Sequence, residues 1–569
     1  MLAILANWIF IFCSTYAIGM GSIKGFTFLS PAHKSNTRPD YPSIYNFLVG
    51  LAAIATLANF WSLFIPVNGV FVGVLAAAAL SLTLCASRQR WNISVPGSNG
   101  LLYLTVLPFL ILIALSLSAG ATDNIDEAGY YLPLVKWIEQ FAVVPGTALL
   151  NHRTGFNSSV HMLNAVFGQS WLWKGGLYDL NGLLFIVFNL YFFNTAIDYK
   201  LKVHKEKVNA ASLFLSCALI FPFSFLVDSM DSDFLSIFGG IFVLSEIIRH
   251  LDHNIDGNKM IMLASISTFL ITVKTFNIFL LPPLAYLYVK QYGWPLARTK
   301  HNLSIYAAGF FISSIVLAPW IARNYYISGY LVFPVYFLDI FDPAWKVPIL
   351  VARPTYEIIG EFAKLTLIRP DYLYDGVTDP AISEWLLVWV QTTSKTLIGK
   401  ITLLATPTSL LMLLAYSMNE KLKHKKLSPV FAMICYAVLI LVIWFVKFPS
   451  IRFVWPWLLL VIIGPLLVYK LKENFRGAVA YGLILLVSAS WTRTLLMKVS
   501  WRQFIEQPAL PSPVITEIEH TVKIIDGVEV KYSKDAHCHG LPQPCTPFNN
   551  ALHIGLIGNK IEEGFLVKD

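Results

Sequence analysis

Three carboxylates fall within five residues in the segment Ala121-Thr122-Asp123-Asn124-Ile125-Asp126-Glu127-Ala128-Gly129-Tyr130-Tyr131, directly after an apolar run. A carboxylate partly desolvated at a membrane edge is suited to general-base work on a hydroxyl or amine acceptor. The same acidity also suits a solvated helix N-terminus, through capping and the helix dipole, so both readings stand here. A second acidic run, Asp228-Ser229-Met230-Asp231-Ser232-Asp233, offers oxygens to an acceptor or metal site. Metal ligation would need further oxygens from other segments. Lys274 interrupts an otherwise apolar stretch. A charge there is costly and is a functional candidate, with snorkelling as the plain alternative. Arg323 follows Ala318-Pro319-Trp320-Ile321-Ala322, and Arg452 stands in Phe448-Pro449-Ser450-Ile451-Arg452-Phe453. Both are expected at outer helix ends, the less usual side for a basic residue, and arginine suits bidentate phosphate recognition. His152 and Arg153 can touch phosphate or sugar, or be surface features. The sequence contains no Walker A, GxGxxG, HExxH or CxxC pattern, so nucleotide hydrolysis, dinucleotide binding and zinc catalysis lack a warrant.

These residues need elements to hold them, and composition says which kind. The chain has 569 residues, of which 56% are apolar and 13% charged. Soluble domains carry about 25% charged residues. A mean hydropathy of +0.62 points the same way. A soluble enzyme, a coiled coil, a disordered chain and a nucleic-acid-binding domain are excluded, leaving an all-α polytopic membrane protein. Apolar runs occur at roughly 2–20, 44–64, 69–87, 101–119, 177–197, 208–227, 234–250, 303–321, 396–417, 428–446, 453–469 and 478–497. The stretch 260–289 is too long for one span and reads as two short helices meeting at Lys274. The N-terminus lacks a basic n-region and reads as a first membrane helix, not a cleaved signal.

Sidedness follows from charge. Loops at 21–43, 88–100, 198–207, 249–259, 290–302, 418–427 and 470–477 are basic and are expected inside. The segments 120–176, 228–233, 322–395, 447–452 and 498–569 hold nearly all the acidic clusters and are expected outside. The domain division is 1–497 for the membrane part, with the long loops 120–176 and 322–395 folding against the membrane surface, and 498–569 for a small outside tail. In that tail Asp526-Gly527 is a hairpin signal between short β-like runs. Cys538 and Cys545 bracket six residues there, and an oxidising compartment permits a bridge contributing about 2.5 kcal/mol at most. The other four cysteines lie in apolar runs, as small hydrophobes.

The segments Asp126-Glu-Ala-Gly-Tyr-Tyr-Leu-Pro, Lys136-Trp137, Val144-Pro-Gly, Asn151-His-Arg and Phe156-Asn-Ser-Ser159 resemble the first-loop signature of a family of bacterial multi-pass membrane proteins. The resemblance continues through Pro319-Trp320-Ile-Ala-Arg323-Asn324-Tyr325, Trp345-Lys-Val-Pro348, Ile451-Arg452-Phe453 and the tail's Pro544-Cys545-Thr-Pro547. The first-loop acid and the PWxxRNY element are also similar to the GT-C glycosyltransferase superfamily, which includes the protein O-mannosyltransferases and the lipid A aminoarabinose transferase. That resemblance implies a GT-C-like bundle of about 12–14 transmembrane helices in the bacterial cytoplasmic membrane, with its active site on the extracytoplasmic face. It implies a polyprenyl-phosphate-linked sugar as donor and a glycan, lipid or protein as acceptor. Inverting transfer would need no cofactor, with a divalent metal as a minor option. Asp126 matches the acidic position of the base, and Glu127 stands where Thr is usual, so either can be meant. Arg323 and Arg452 match donor-phosphate positions, Lys274 more loosely. Tyr130, His152, Arg153 and Asp231 become candidate substrate contacts. Tyr131 stands where His is usual. A flippase or transporter of lipid-linked sugars, and a polysaccharide polymerase or ligase, are the alternative readings. Mid-span segments nearly free of acids and bases favour the enzyme.

Overall fold

The computed structural model describes residues 1–29, 42–87, 100–120, 122, 124–173, 175–202, 210–251, 253–294, 300–365, 380–422, 428–469, 473–498, 506, 518–534, 537–546 and 553–568. Asp123, most of the basic loop residues used to assign sidedness, and 366–379 of the second long loop lie outside the described residues.

The apolar runs are helices, except that 208–227 holds only the nine-residue helix Ala210–Ala218 followed by a turn and a 3-10 segment, Ser224–Leu226, too short to form the expected span. Six of the helices, Leu2–Thr27, Ser43–Trp61, Asn302–Ser328, Leu397–Glu420, Pro429–Lys447 and Ile451–Val468, are long and apolar enough to cross a membrane. Five shorter apolar helices accompany them. The protein is a helical membrane protein. Only 28% of the Asn302–Ser328 window and 22% of the Leu397–Glu420 window are buried, against 72% for Ser43–Trp61. The first two therefore present apolar side chains such as Phe310 and Leu404 outward, and the third is central. Ser43–Trp61 packs on the first helix through two glycines. A Cβ on Gly19 would run into the Asn46 carbonyl, and one on Gly50 into the Thr15 carbonyl. Small residues permit such close approach where no hydrophobic force separates lipid from protein.

The stretch 260–289 breaks where the charge predicts. The Gly257–Val273 helix ends, Lys274 is extended (φ −151°, ψ 121°), and a 3-10 turn, Thr275–Leu280, leads into Leu281–Tyr292. Pro282 and Pro283 sit in the first turn of that helix, where a missing N–H costs nothing. The polar groups at the break find partners: Ser158 Oγ donates to Val273 O (2.7 Å), and Leu270 O, which already accepts the Lys274 N–H, also accepts from Asn277 Nδ2 (2.9 Å). Irregular backbone among membrane helices survives only when satisfied in this way.

The two long loops and the tail share a second, smaller core. Trp137, Leu149 and Leu150 from the first loop join Tyr330, Phe333 and Val351 from the second, and Val530, Leu556 and Phe565 from the tail. The tail carries the expected hairpin. His520–Ile525 pairs antiparallel with Val528–Ser533, Ile525 opposite Val528, with Asp526 (φ 48°) and Gly527 (φ 87°) at the turn. Positive φ at both positions is what a two-residue turn of this hand requires. Cys545–Thr546 adds a parallel strand beside Lys531 and Tyr532, and Ile554–Leu556 pairs with Phe565–Val567. Cys538 and Cys545 form a disulfide.

Candidate functional site

The first loop begins with a turn that presents two carboxylates. Thr122 Oγ1 accepts the Asn124 N–H (3.1 Å), and Asn124 Oδ1 accepts the Asp126 N–H (3.0 Å). Asn124 thus does the capping, and the Asp126 side chain makes no cap bond. Glu127–Tyr131 then winds as a π-helical turn before the Leu132–Gln140 helix. Such turns are rare and recur at functional sites. Asp126 Oδ1 lies 3.5 Å from Arg153 Nη1, with both side chains partly exposed.

The acidic run at 228–233 is held against this turn. Asn181 Nδ2 donates to the carbonyls of Leu226 (3.0 Å), Ser229 (2.7 Å) and Asp231 (2.9 Å). Glu127 Oε2 accepts the Met230 N–H at 2.9 Å. Asp231 Oδ1 accepts the Asp233 N–H (2.8 Å) at the start of the Asp233–His250 helix. Asp233, 1% exposed, is the hub. Lys274 Nζ pairs with its Oδ1, and Arg452 Nε lies 3.3 Å from its Oδ2. The Phe453 ring lies 4.3 Å from Lys274 Nζ and 5.4 Å from the Arg452 guanidinium. Both cations also feel Asp126 and Asp231 through space. Four segments distant in sequence therefore converge on one cluster of carboxylates and cations.

Arg323 stands apart from this arrangement. Its side chain is buried, Nε donating to Asn157 Oδ1 (3.1 Å) and Nη1 to Ser62 Oγ (2.9 Å). It forms no ion pair among the described residues. Asn157 also bonds Asn324 Oδ1 (3.0 Å), and its carbonyl accepts from Trp320 Nε1 (2.7 Å). Arg323 therefore joins the first loop to the Lys300–Ser328 helix. His152 is buried, and burial together with Arg153 pushes its pKa down to about 3, so it is neutral. Tyr130 is half-buried, its ring edge-on to Tyr131 (4.5 Å) and Phe156 (5.7 Å).

Two residues escape reading from the sequence. Asp233 is one carboxylate of three in its run, and nothing local marks it as the partner of both cations. His161, 1% exposed, lies 4.8 Å from the Tyr131 ring with no hydrogen-bond partner for either ring nitrogen among the described residues. Burial pushes its pKa down to about 3.

Glu127 differs from its neighbour. Burial, opposed by the Met230 N–H and reinforced by Asp231 and Asp228, pushes its pKa up to about 8. It holds its proton at neutral pH. The folded pKa lies above the unfolded value of about 4.3. Stability from this group is complete at low pH and is lost as pH rises from about 4.3 to about 8. Glu127→Gln is expected to remove that loss. Thermal unfolding between pH 6 and 9 checks this: the melting temperature of the variant should fall less than that of the parent. Equal slopes would refute it.

Among the described residues no group of three or more His, Cys, Asp or Glu side chains is placed to hold a metal ion. A family described as a domain of unknown function (DUF8201) matches residues 1–459. No curated protein and no solved structure matches the chain.

Proposed function

The chain belongs to the DUF8201 family, whose matched span contains the whole cation–carboxylate cluster, and we propose that it is a GT-C-like glycosyltransferase of the bacterial cytoplasmic membrane. It moves a sugar from a polyprenyl-phosphate donor to an acceptor on the extracytoplasmic face. The observation that carries this reading is the convergence of Lys274 and Arg452 on Asp233, in the acidic run that the Glu127–Met230 bond ties to the turn bearing Asp126.

In this mechanism the donor phosphate takes up hydrogen bonds from Lys274 and Arg452, competing with Asp233. Arg452 has a side chain 39% exposed, so part of its guanidinium faces outward. The acceptor hydroxyl attacks the anomeric carbon while its proton passes to Asp126. The bond from that carbon to the phosphate oxygen breaks, and the lipid phosphate leaves with the electron pair. Charge growing on the leaving oxygen is stabilised by the two cations, an interaction stronger in the transition state than in the bound donor. Inversion follows from the single displacement. Tyr130, His152, Arg153 and Asp231 are assigned to the walls around the sugar, and Arg323 to positioning the first loop.

A cavity of about 330 Å³ supports a place for the lipid tail. It is apolar and lies between the Leu397–Leu422, Pro429–Lys447 and Ile451–Val468 helices, with Trp389, Trp444 and Leu458 among its walls. Trp389 Nε1 donates to Pro449 O (2.7 Å) and Trp444 Nε1 to Ser450 O (2.8 Å). The same tryptophans that wall the cavity thus hold the turn that presents Arg452.

The test is donor turnover. Protein in nanodiscs is incubated with radiolabelled polyprenyl-phosphate sugars and an envelope extract. Label leaving the lipid and appearing on an acceptor is the expected result. Intact lipid-linked sugar crossing liposomes without turnover would overturn the transferase in favour of a flippase.

A further inference from the structure

The C-terminal tail reaches the candidate site. The His539 N–H donates to the Ala128 carbonyl (2.9 Å), inside the π-helical turn that carries Glu127. A methyl group placed on Gly129 would lie 3.5 Å from His537 Cδ2 and 3.7 Å from Arg153 Nη1. The His537 imidazole and the guanidinium paired with Asp126 therefore flank the same glycine. His537 and His539 are half-buried, with ring centroids 5.9 Å apart. Between them Cys538 is fully buried and bridged to Cys545. The far side of the bridged loop is anchored to the first loop as well: Gln543 N–H donates to Gln140 Oε1 (3.1 Å) and Thr546 Oγ1 to Leu150 O (2.7 Å).

We propose that the bridged segment from His537 to Cys545 forms the acceptor-side wall of the site, and that His537 is a specificity-determining residue on it, binding a hydroxyl of a saccharide acceptor. This rests on the glycosyltransferase reading. In an inverting displacement the nucleophile and the leaving group lie in line on opposite faces of the sugar. Lys274 and Arg452, which share Asp233, belong to the leaving phosphate. Arg153, paired with Asp126, and His537 flank Gly129 together, so both lie on the side of the base, where the nucleophile arrives. An imidazole both donates and accepts, which matches a sugar hydroxyl. The family match ends at residue 459, so this wall comes from a part of the chain outside it. Residues beyond the matched span would then choose the acceptor for a base and cations within it.

The disulfide has a defined task in this arrangement. Its eight-residue loop places one imidazole on each side of a buried half-cystine, and the backbone bond from His539 locks that pair onto the π-turn. The bridge thus sets the wall that faces the acceptor.

The test uses the full chain in nanodiscs, with two variants and two readouts. Transfer of labelled sugar to a glycan fraction of an envelope extract is measured beside hydrolysis of the same donor by water. His537→Ala is expected to lower transfer about tenfold, the loss of one hydrogen bond of roughly 1.4 kcal/mol, and to leave hydrolysis within twofold. Equal losses in both would show a merely structural role, and no loss in either would remove His537 from the acceptor wall; each overturns the proposal. Hydrogen exchange over residues 124–132 provides the second readout, which needs no turnover. It is expected to be unchanged in His537→Ala and faster in the double variant Cys538→Ser, Cys545→Ser. Unchanged exchange in the double variant would mean that the bridge does not hold the tail on the turn, and would overturn the proposal. A parent protein that turns over no donor, yet shows the expected exchange difference, would refute the glycosyltransferase reading while the docking of the tail stands.

Discussion

Asp126→Asn is expected to lower sugar transfer by about 10²–10⁴-fold, the usual contribution of a positioned general base, with the fold intact. The change keeps the shape of the side chain and removes its capacity to take a proton. The ion pair lost with it, to Arg153 at 3.5 Å, joins side chains 25% and 33% exposed. Such pairs contribute about 0–1 kcal/mol, so melting temperature should hardly move. Asn124 supplies the local capping, and that bond involves only the Asp126 backbone. The adjacent Glu127 adds a second signature. With a pKa pushed up to about 8, it is protonated at neutral pH and ionised above that. Any residual transfer in Asp126→Asn should rise as pH passes 8 and vanish in the double variant Asp126→Asn, Glu127→Gln. Full activity of Asp126→Asn at pH 7 would remove Asp126 from the role of base.

Asp233→Ala is expected to cost the most stability. Its carboxylate is buried and serves two cations, Lys274 and Arg452. Removing one member of a buried pair leaves an uncompensated charge, typically about 3–5 kcal/mol. The two cations do not suffer equally. Arg452, with a side chain 39% exposed, can turn toward solvent, whereas the Lys274 side chain is 22% exposed and lies at a helix break between apolar segments. Most of the loss should therefore come from Lys274. The second variant Lys274→Met in the Asp233→Ala background should recover much of the stability, which a double-mutant cycle of melting temperatures in detergent will show. Additive losses in that cycle would mean that the pair is not coupled as the geometry has it.

The membrane class, the break at Lys274 and the Asp526-Gly527 hairpin were all legible in the sequence. Each depends on neighbours in the chain: hydropathy summed over a helix length, a charge that cannot continue an apolar span, a turn that needs positive φ at two adjacent residues. The pairing of Cys538 with Cys545 was legible for the same reason, with the half-cystines seven positions apart and no other cysteine in the tail. The acidic and basic candidates could be named because charge is scarce in this chain and stands out.

Their partners could not be named. Arg323 and Arg452 looked alike, each at the end of an apolar run. Asn157 and Ser62 met the first, and Asp233 met the second. Asp126 and Glu127 are adjacent carboxylates, yet one faces Arg153 and the other the Met230 N–H. The tail read as a separate polar region, and it lies against the first loop through His539, Gln543 and Thr546. The physical reason is common to all three. Propensity and hydropathy act between near neighbours, so they can be summed along the chain. A buried polar group is satisfied by whatever donor or acceptor the packing brings to it. In this protein those partners lie tens to hundreds of residues away, and only the assembled tertiary structure selects them.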